Sequence, residues 1–285
     1  MTDVLNFSAA RELLEEFGLS PNKRLGQNFL CDPGVVARIA EAAGITHEDA
    51  VLEIGPGLGA LTRELSKRAK KVVAVEIDSG LVEALGKTLA DCPNISVLHA
   101  DFLKADLGEL YEALGGGAFR VAANLPYYIT TPVILRLLES GLPVRSMSFL
   151  VQKEVAERMA AKPSSKSYGA LSLAVQYYTD ASIVLRVPPS CFYPAPSVDS
   201  IVIRLDVRPP KVQVASEEDF FRITRAAFAM RRKTLANGLS AGLGLPRAQA
   251  EALILAAGLP ANVRGEALSI EQFAALANAY TQGAF

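Results

Sequence analysis

Histidine and cysteine are scarce in this chain of 285 residues, and their placement excludes whole classes of chemistry. The two histidines, His47 and His99, are too few for a histidine-based metal site. The three cysteines, Cys31, Cys92 and Cys191, are odd in number, far apart and never in a Cys-x-x-Cys pair, so neither a disulfide framework nor a zinc site is expected. No apolar run approaches the roughly 20 residues that cross a bilayer. The opening MTDVLNFSAARELLEEF carries acids where a secretory leader has a basic and then an apolar stretch, so a cytoplasmic address without a membrane partner is expected. There is no internal repeat and no low-complexity tract beyond Gly115-Gly116-Gly117, a flexible turn.

A strong net charge is also lacking: the formal total is −1, which by itself speaks against a nucleic-acid binder. The charges are unevenly divided, however. Residues 1–144 hold 13 lysines and arginines against 19 acids, a balance of −6, whereas residues 145–285 hold 16 against 11, a balance of +5. Such asymmetry fits a basic face for phosphate backbones as well as it fits an ordinary solvated surface. Half of the residues are hydrophobic and 21% are charged, the balance of a folded protein with a substantial core.

From residue 33 to 206 helical periodicity alternates with short apolar runs, the pattern of a mostly parallel sheet covered by helices. Strands are expected over Ala50–Ile54, Lys71–Ile77, Ile95–His99, Phe119–Ala123, Ser146–Val151, Ala181–Val187 and Ser200–Leu205. Helices are expected near Pro33–Ala43, Leu61–Lys67, Gly80–Leu89, Thr131–Ser140, Lys153–Ala160 and Ser172–Tyr178. These fit a doubly wound α/β domain with a seven-stranded sheet. The segment 161–169 is polar and rich in breakers and reads as an exposed loop. After Val207-Arg208-Pro209-Pro210 the strand signals stop, and helices are expected at Glu217–Met230, Lys233–Leu239, Arg247–Ala257 and Ile270–Ala279, a small all-α domain from about residue 209 to 285. Ser216 ahead of Glu217, Glu218 and Asp219 reads as an N-cap with acids complementing the helix dipole.

Three successive strand ends carry ligand-binding signals. Glu53-Ile54-Gly55-Pro56-Gly57-Leu58-Gly59 leaves the first strand as a glycine-rich turn, where open α/β sheets bind nucleotides. Its Gly-x-Gly-x-Gly spacing differs from the Gly-x-Gly-x-x-Gly of dinucleotide enzymes. Glu76 ends the second strand about twenty residues later, where a carboxylate can accept from both ribose hydroxyls. Asp101 follows the third strand, placed to accept from an adenine amino group, with Phe102 or Ile77 packing on the ring. No phosphate-binding Lys-Ser/Thr pair follows the glycines, so a nucleoside without a triphosphate is expected. S-adenosylmethionine fits; NAD is the competitor, lacking a recognisable hydride-acceptor site.

Downstream stands Asn124-Leu125-Pro126-Tyr127. An exocyclic amine on a nucleobase is a poor nucleophile, because its lone pair is delocalised into the ring. The Asn124 side-chain oxygen and the Leu125 or Pro126 carbonyl can accept from that NH2 group and favour a pyramidal nitrogen, while Tyr127 stacks on the ring. Such a site acts by orientation and placed dipoles. Phe192 lies in a Phe-x-Pro-x-Pro stretch of few backbone states and is expected opposite Tyr127, the two rings sandwiching a flipped base.

With these residues in hand, the chain resembles the ribosomal RNA adenine N6-dimethyltransferase family, in particular its KsgA/RsmA, small-subunit branch. The likeness rests on Lys23-Arg24-Leu25-Gly26-Gln27-Asn28-Phe29-Leu30, on Glu53 to Gly59, on Asn124 to Ile129, on Gln152 to Arg158, on Phe192 to Ser200 and on Ala227 to Leu235, in the family's order. It implies a Rossmann-like class I methyltransferase domain over residues 1–208, whose first 30 residues are an extension with a cofactor motif, and a carboxyl-terminal domain over 209–285 that recognises RNA or the ribosome. By the same resemblance Asn28 and Leu30 hold the methionine end of S-adenosylmethionine, Gly55 and Gly57 pass beneath it, Glu76 takes the ribose, Asp101 the adenine, and Asn124 serves donor and target alike. The substrate implied is the 3′-terminal hairpin of 16S rRNA in an immature small subunit, dimethylated on two adjacent adenosines by a monomer without metal.

Arg222, Arg225, Arg231, Arg232 and Lys233 are the expected phosphate contacts, with Arg145, Lys153, Arg158, Lys162 and Lys166 as a second basic group. Three rivals stand beside this reading. An Erm-like enzyme of large-subunit RNA shares most motifs. An amino-methyltransferase of DNA or of protein glutamine would carry Asn-Pro-Pro-Tyr. A non-catalytic assembly factor would not require the intact Glu76, Asn124 and Tyr127.

Overall fold

Val51-Leu52 and Val72 to Val75 are apolar on consecutive residues, so these segments are buried on both faces, as strands inside a parallel sheet covered by helices are. The computed structural model describes residues 6–230 and 233–284. Its strands are β1 (Phe29–Leu30), β2 (Ala50–Ile54), β3 (Lys71–Glu76), β4 (Ile95–His99), β5 (Phe119–Asn124), β6 (Val144–Gln152), β7 (Thr179–Val187), β8 (Phe192–Tyr193) and β9 (Ser200–Val207). The helices before β6 are α1 (Phe7–Glu16), α2 (Pro33–Ala42), α3 (Ala60–Ser66), α4 (Ser79–Thr88), α5 (Leu107–Leu114) and α6 (Thr130–Leu138). After it come α7 (Lys153–Met159), α8 (Ala170–Tyr178), α9 (Glu217–Ala229), α10 (Leu235–Leu243), α11 (Arg247–Ala256) and α12 (Ile270–Thr281).

Seven strands form one sheet in the order β4-β3-β2-β5-β6-β9-β7. β2 runs parallel to both β3 and β5, β4 and β6 extend the parallel part, and β9 returns antiparallel to β6. The chain thus winds outward from β2 through β3 and β4, then restarts on the other side of β2 with β5. That reversal opens a crevice at the carboxyl ends of the strands, the place where doubly wound sheets bind ligands. Gly55 leaves β2 there, Glu76 ends β3, Asp101 follows β4 and Asn124 ends β5. A separate two-stranded ribbon pairs β1 with β8 antiparallel, Phe29 opposite Tyr193 and Leu30 opposite Phe192, so two segments more than 160 residues apart in sequence meet.

The chain divides into two compact units. One runs to Ala156 and resumes over Ala181–Val207; the other takes Glu157–Asp180 and the residues from Arg208 onward. The boundary expected at 208/209 therefore differs by the insertion of 157–180 into the second unit. The physical reason is burial: Tyr168, Leu173 and Tyr177 share a core with Phe220, Ile223, Leu239 and Phe273. Arg208 fastens the end of this segment by donating to the carbonyls of Gln176, Tyr177 and Thr179. The 161–169 stretch is a loop, yet Tyr168 within it is buried and donates its hydroxyl to the Leu268 carbonyl at 2.9 Å. In the second unit Ser216 caps α9 by accepting from Asp219 N at 3.1 Å. α10 runs over Leu235–Leu243, later at both ends than the expected Lys233–Leu239, and its Gly238 and Gly242 lie one turn apart where α9 approaches: a Cβ on Gly242 would stand 2.4 Å from the Ala226 Cβ.

Candidate active site

The residues expected around donor and target base line one cavity of about 180 Å³: Asn28, Leu30, Gly55, Gly57, Glu76, Ile77, Asp101, Phe102, Asn124, Leu125, Pro126, Tyr127 and Phe192. Its floor is the turn after β2. Gly55 and Gly57 hold φ values of 71° and 60°, in the left-handed region that disfavours side chains. A Cβ on Gly57 would also stand 3.1 Å from the Phe29 ring, so the bare backbone is what leaves room for a ligand.

Glu76 closes the far side. Its Oε2 accepts from Gly57 N at 3.1 Å, and its Oε1 accepts from Ile77 N and Asp78 N at 2.9 and 3.0 Å. The carboxylate therefore pins the glycine turn to β3 while Oε2, which accepts only one of these bonds, keeps a lone pair for a further donor. Burial raises its pKa, against the lowering effect of those three N–H groups. Asp101 accepts from Leu103 N at 3.0 Å through Oδ1, and Lys104 Nζ lies 3.4 Å from Oδ2. Of the two apolar side chains expected beside the base of the donor, Ile77 is exposed, whereas Phe102 is buried with the Arg136 guanidinium 5.6 Å above its ring.

At the other end the amide of Asn124 is oriented by the chain itself. Its Nδ2 donates to the Asn28 carbonyl at 3.0 Å, which leaves Oδ1 as an acceptor, and Asn28 in turn donates to the Gly26 carbonyl at 3.0 Å. The Pro126 carbonyl is already engaged by Ile129 N at 3.1 Å and Thr130 Oγ1 at 3.3 Å. No hydrogen bond from the described residues reaches the Leu125 carbonyl, so of the two backbone acceptors named from the sequence it is the one still available. Tyr127 is half-buried and its hydroxyl is 2.9 Å from Ser200 Oγ; burial pushes the phenol upward in pKa. Phe192 is only 2% exposed, packed with Leu30 and Val202 in the core. Tyr127 is thus the more accessible of the two rings.

The phosphate contacts expected from the sequence lie elsewhere. Arg222 and Arg225 are exposed on α9, Arg222 with its guanidinium 5.9 Å above the Tyr280 ring, and Lys233 is exposed after that helix. Arg231 and Arg232 lie outside the described residues. Arg145, from the second basic group, is ion-paired with the buried Asp49 at 3.1 Å, a bond that Asp49 shares with Arg120. Among the described residues no group of three or more His, Cys, Asp or Glu is placed to hold a metal ion, and no helix is long and apolar enough to cross a membrane.

The sequence motifs assign no role to one cavity residue. Glu53, on β2 one residue before the strand ends, is 1% exposed, and its Oε2 has no hydrogen-bond partner among the described residues. Burial lifts its carboxyl from 4.5 to about 8, with the neighbouring Glu76 charge adding to the shift. An acid between Leu52 and Ile54 in a buried strand is the signal that marks it in the sequence. A glycine cradle and an unsatisfied buried carboxyl oxygen both suit a ligand that brings its own cation and hydrogen-bond donors, as S-adenosylmethionine does.

A raised folded-state pKa means that the unliganded protein holds the Glu53 proton more tightly than the unfolded chain does. Its stabilising effect is complete below pH 4.5 and is lost as pH rises toward about 8. Glu53→Gln cannot titrate. The variant is therefore expected to gain stability relative to the parent between pH 5 and 8.5, by on the order of 3–5 kcal/mol in urea unfolding. The same pH dependence in both proteins would show that Glu53 is ionised in the fold.

Comparison with known proteins assigns the frame in which this geometry is to be understood. A family model described as ribosomal RNA adenine dimethylase matches residues 18–282. "Ribosomal RNA small subunit methyltransferase A" of Bacillus mycoides (strain KBAB4) is 49% identical, with 98% of each chain covered, and the protein of the same name in Bacillus anthracis (strain A0248) is equally similar. Among solved structures, a dimethyladenosine transferase from Plasmodium falciparum superposes with a TM-score of 0.76 at 26% identity, covering 90% of this chain and 98% of that one. The 23S rRNA methyltransferase ErmE superposes with a TM-score of 0.67 at 30% identity, covering 88% and 98%. With residues 18–282 of its 285 matched by the family model and relatives at this identity, the chain belongs to the ribosomal RNA adenine dimethylase family.

Proposed function

We propose that the protein transfers methyl groups from S-adenosylmethionine to N6 of two adjacent adenosines in the 3′-terminal hairpin of 16S rRNA, giving N6,N6-dimethyladenosine in the immature small subunit. It acts in the cytoplasm as a monomer, without a metal. The relatives named as small-subunit methyltransferases support the choice of RNA. The observation that carries the chemistry is the pair of acceptors at the end of β5: Asn124 Oδ1, held by the Nδ2 bond to Asn28, and the uncommitted Leu125 carbonyl.

S-adenosylmethionine, bound along the glycine turn, supplies a methyl carbon made electrophilic by its sulfonium. Asn28 and Leu30 hold its methionine end, Glu76 its ribose and Asp101 its adenine. The target adenosine is flipped out of its stack to reach the cavity, and Tyr127 stacks on it with Phe192 behind. In the first transfer Asn124 Oδ1 and the Leu125 carbonyl accept from the two N6 hydrogens, and in the second the one remaining hydrogen is held by one of them, which pulls the nitrogen toward a pyramidal shape and frees its lone pair. That pair forms the new N–C bond as the S–C pair stays with sulfur, and the methylated, positively charged nitrogen gives up one proton per transfer to water. Stabilising charge that develops on N6 with pre-placed oxygens involves no covalent enzyme intermediate. Arg222, Arg225, Arg231, Arg232 and Lys233 follow RNA phosphates from the second unit.

Tyr127 separates ring from hydroxyl. Tyr127→Phe keeps the stacking face and loses only the Ser200 bond, so kcat/KM is expected to fall less than about tenfold. Tyr127→Ala is expected to lose about 5- to 150-fold, the worth of one base–aromatic stack. Equal losses in steady-state assays would assign the role to the hydroxyl instead.

The reading as a whole is tested by incubating the protein and labelled donor with small subunits lacking these methyl groups, then mapping the product by primer extension. Two methyls on N6 replace both amino hydrogens, the Watson–Crick donor among them, so reverse transcription is expected to stop at two neighbouring adenosines near the 3′ end of 16S rRNA. Label confined to large-subunit RNA would favour the Erm-like alternative.

A further inference from the structure

Residues 22–27 form a turn closed on itself at the rim of the cavity. The Asn22 carbonyl accepts from Leu25 N at 3.2 Å and Gln27 N at 3.3 Å, its Oδ1 accepts from Arg24 N at 3.0 Å, and its own N–H donates to Gln27 Oε1 at 2.8 Å. Gln27 Nε2 then donates to Asp78 Oδ2 at 3.0 Å, which fixes the turn to the segment that follows β3. Backbone held by this many local bonds is already ordered and has little conformational entropy left to lose on binding. The turn exposes Lys23 and Arg24, and neither is ion-paired among the described residues.

Tyr128 stands beside this turn. It is 57% exposed, although it lines the cavity together with Leu25 and Gly26. A methyl group on Gly26 would lie 3.5 Å from its ring, in ordinary contact, so the turn supports the ring from beneath. A large aromatic side chain left in water beside a turn that carries two exposed cations forgoes burial that a sheet or helix face would have given it. Aromatic faces interleaved with unpaired cations are what single-stranded nucleic acid requires: every base has a face to stack, and the cations follow the backbone.

We propose that Tyr128, Lys23 and Arg24 form a subsite for the nucleotide next to the flipped adenosine, Tyr128 stacking on the neighbouring base and the two cations taking the flanking phosphates. The subsite rests on the methyl-transfer reading of the cavity. Because the two targets are adjacent, the base held on Tyr128 is the second adenosine while the first is in the cavity.

The test compares the parent protein with Tyr128→Ala, Tyr128→Phe and a Lys23→Ala/Arg24→Ala double variant, on small subunits lacking the methyl groups. Tyr128→Ala is expected to raise KM for subunits about tenfold without changing the calorimetric Kd for S-adenosylmethionine, and Tyr128→Phe to restore it. The double variant is expected to lower the slope of log K against log salt by about 1.5, as lost phosphate contacts do. A KM within twofold of the parent for Tyr128→Ala, a Phe variant as impaired as the Ala variant, or an unchanged salt slope would overturn the subsite. If the parent methylates small subunits and the variants match it, only the subsite falls; if the parent transfers no methyl, the reading beneath it falls as well.

Discussion

Asn124→Ala is expected to slow methyl transfer by about 10²–10³-fold in single-turnover assays, the cost typical of removing one pre-placed dipole from a reacting centre. The side chain has two separable jobs in this geometry. Its Nδ2 binds the Asn28 carbonyl at 3.0 Å and so fixes the amide plane, while Oδ1 is the part proposed to meet the target amine. Truncation removes both, but the proposed donor site retains Glu76, Asp101 and the glycine turn, so affinity for S-adenosylmethionine is expected to fall no more than about tenfold. Asn124→Asp keeps an acceptor and cannot donate to Asn28, and its rate should lie between alanine and the parent. A single-turnover rate for Asn124→Ala within threefold of the parent would remove this residue from the chemistry.

Glu76→Ala has the second large effect, this time on binding. On the proposed reading a ribose hydroxyl held by this carboxylate contributes on the order of 1.5–3 kcal/mol and the turn it pins about 1 kcal/mol more, so the Kd for S-adenosylmethionine is expected to rise by about 10²–10³-fold in calorimetry. The substitution also strips the N–H groups of Gly57, Ile77 and Asp78 of their acceptor, which loosens the glycine turn as well as the ribose contact. Glu76→Gln offers one oxygen where the native side chain offers two, and an intermediate Kd follows. The stabilisation of Tm by saturating donor should shrink in the same order, since ligand-linked stability scales with the logarithm of affinity. Donor affinity unchanged in Glu76→Ala would place the ribose elsewhere.

Much of this site was legible before any coordinates, because its parts fall at strand ends and strand ends are marked locally. Gly55, Glu76, Asp101 and Asn124 each follow an apolar run, and the parallel sheet brings such ends to one edge. What the sequence concealed is mostly long-range. The ribbon of β1 with β8 is two residues long on each side and has no hairpin turn to announce it, yet it is what sets Leu30 across from Phe192. The insertion of 157–180 into the second unit was hidden for the same reason: Tyr168 and Tyr177 are polar-tipped side chains in or near a breaker-rich stretch, and only their burial against the helical core shows where they belong.

Two helices escaped for a different reason. α5 spans only eight residues between acidic and glycine-rich flanks, although Asp106 caps it through Gly108 N at 2.7 Å, Leu110 and Leu114 are buried, and Gly115 ends it with φ at 100°. α1 begins at an Asn6 cap, which accepts from Ala9 N at 2.8 Å, and buries Ala10, Leu13 and Leu14 at helical spacing. In both, caps and i, i+3, i+4 apolar positions were present but short. The ionisation of Glu53 and the engagement of the Pro126 carbonyl depend on neighbours in space, for which residue order carries no signal.

The most direct measurement is a crystal structure of the protein with S-adenosylhomocysteine and an adenosine-containing fragment of the 16S hairpin. The expected density sets the ribose on Glu76 and the target ring on Tyr127, with N6 within hydrogen-bond distance of both Asn124 Oδ1 and the Leu125 carbonyl and facing the sulfur. A target amine turned away from Asn124, or a donor lodged outside the crevice between Gly55 and Asp101, would contradict it.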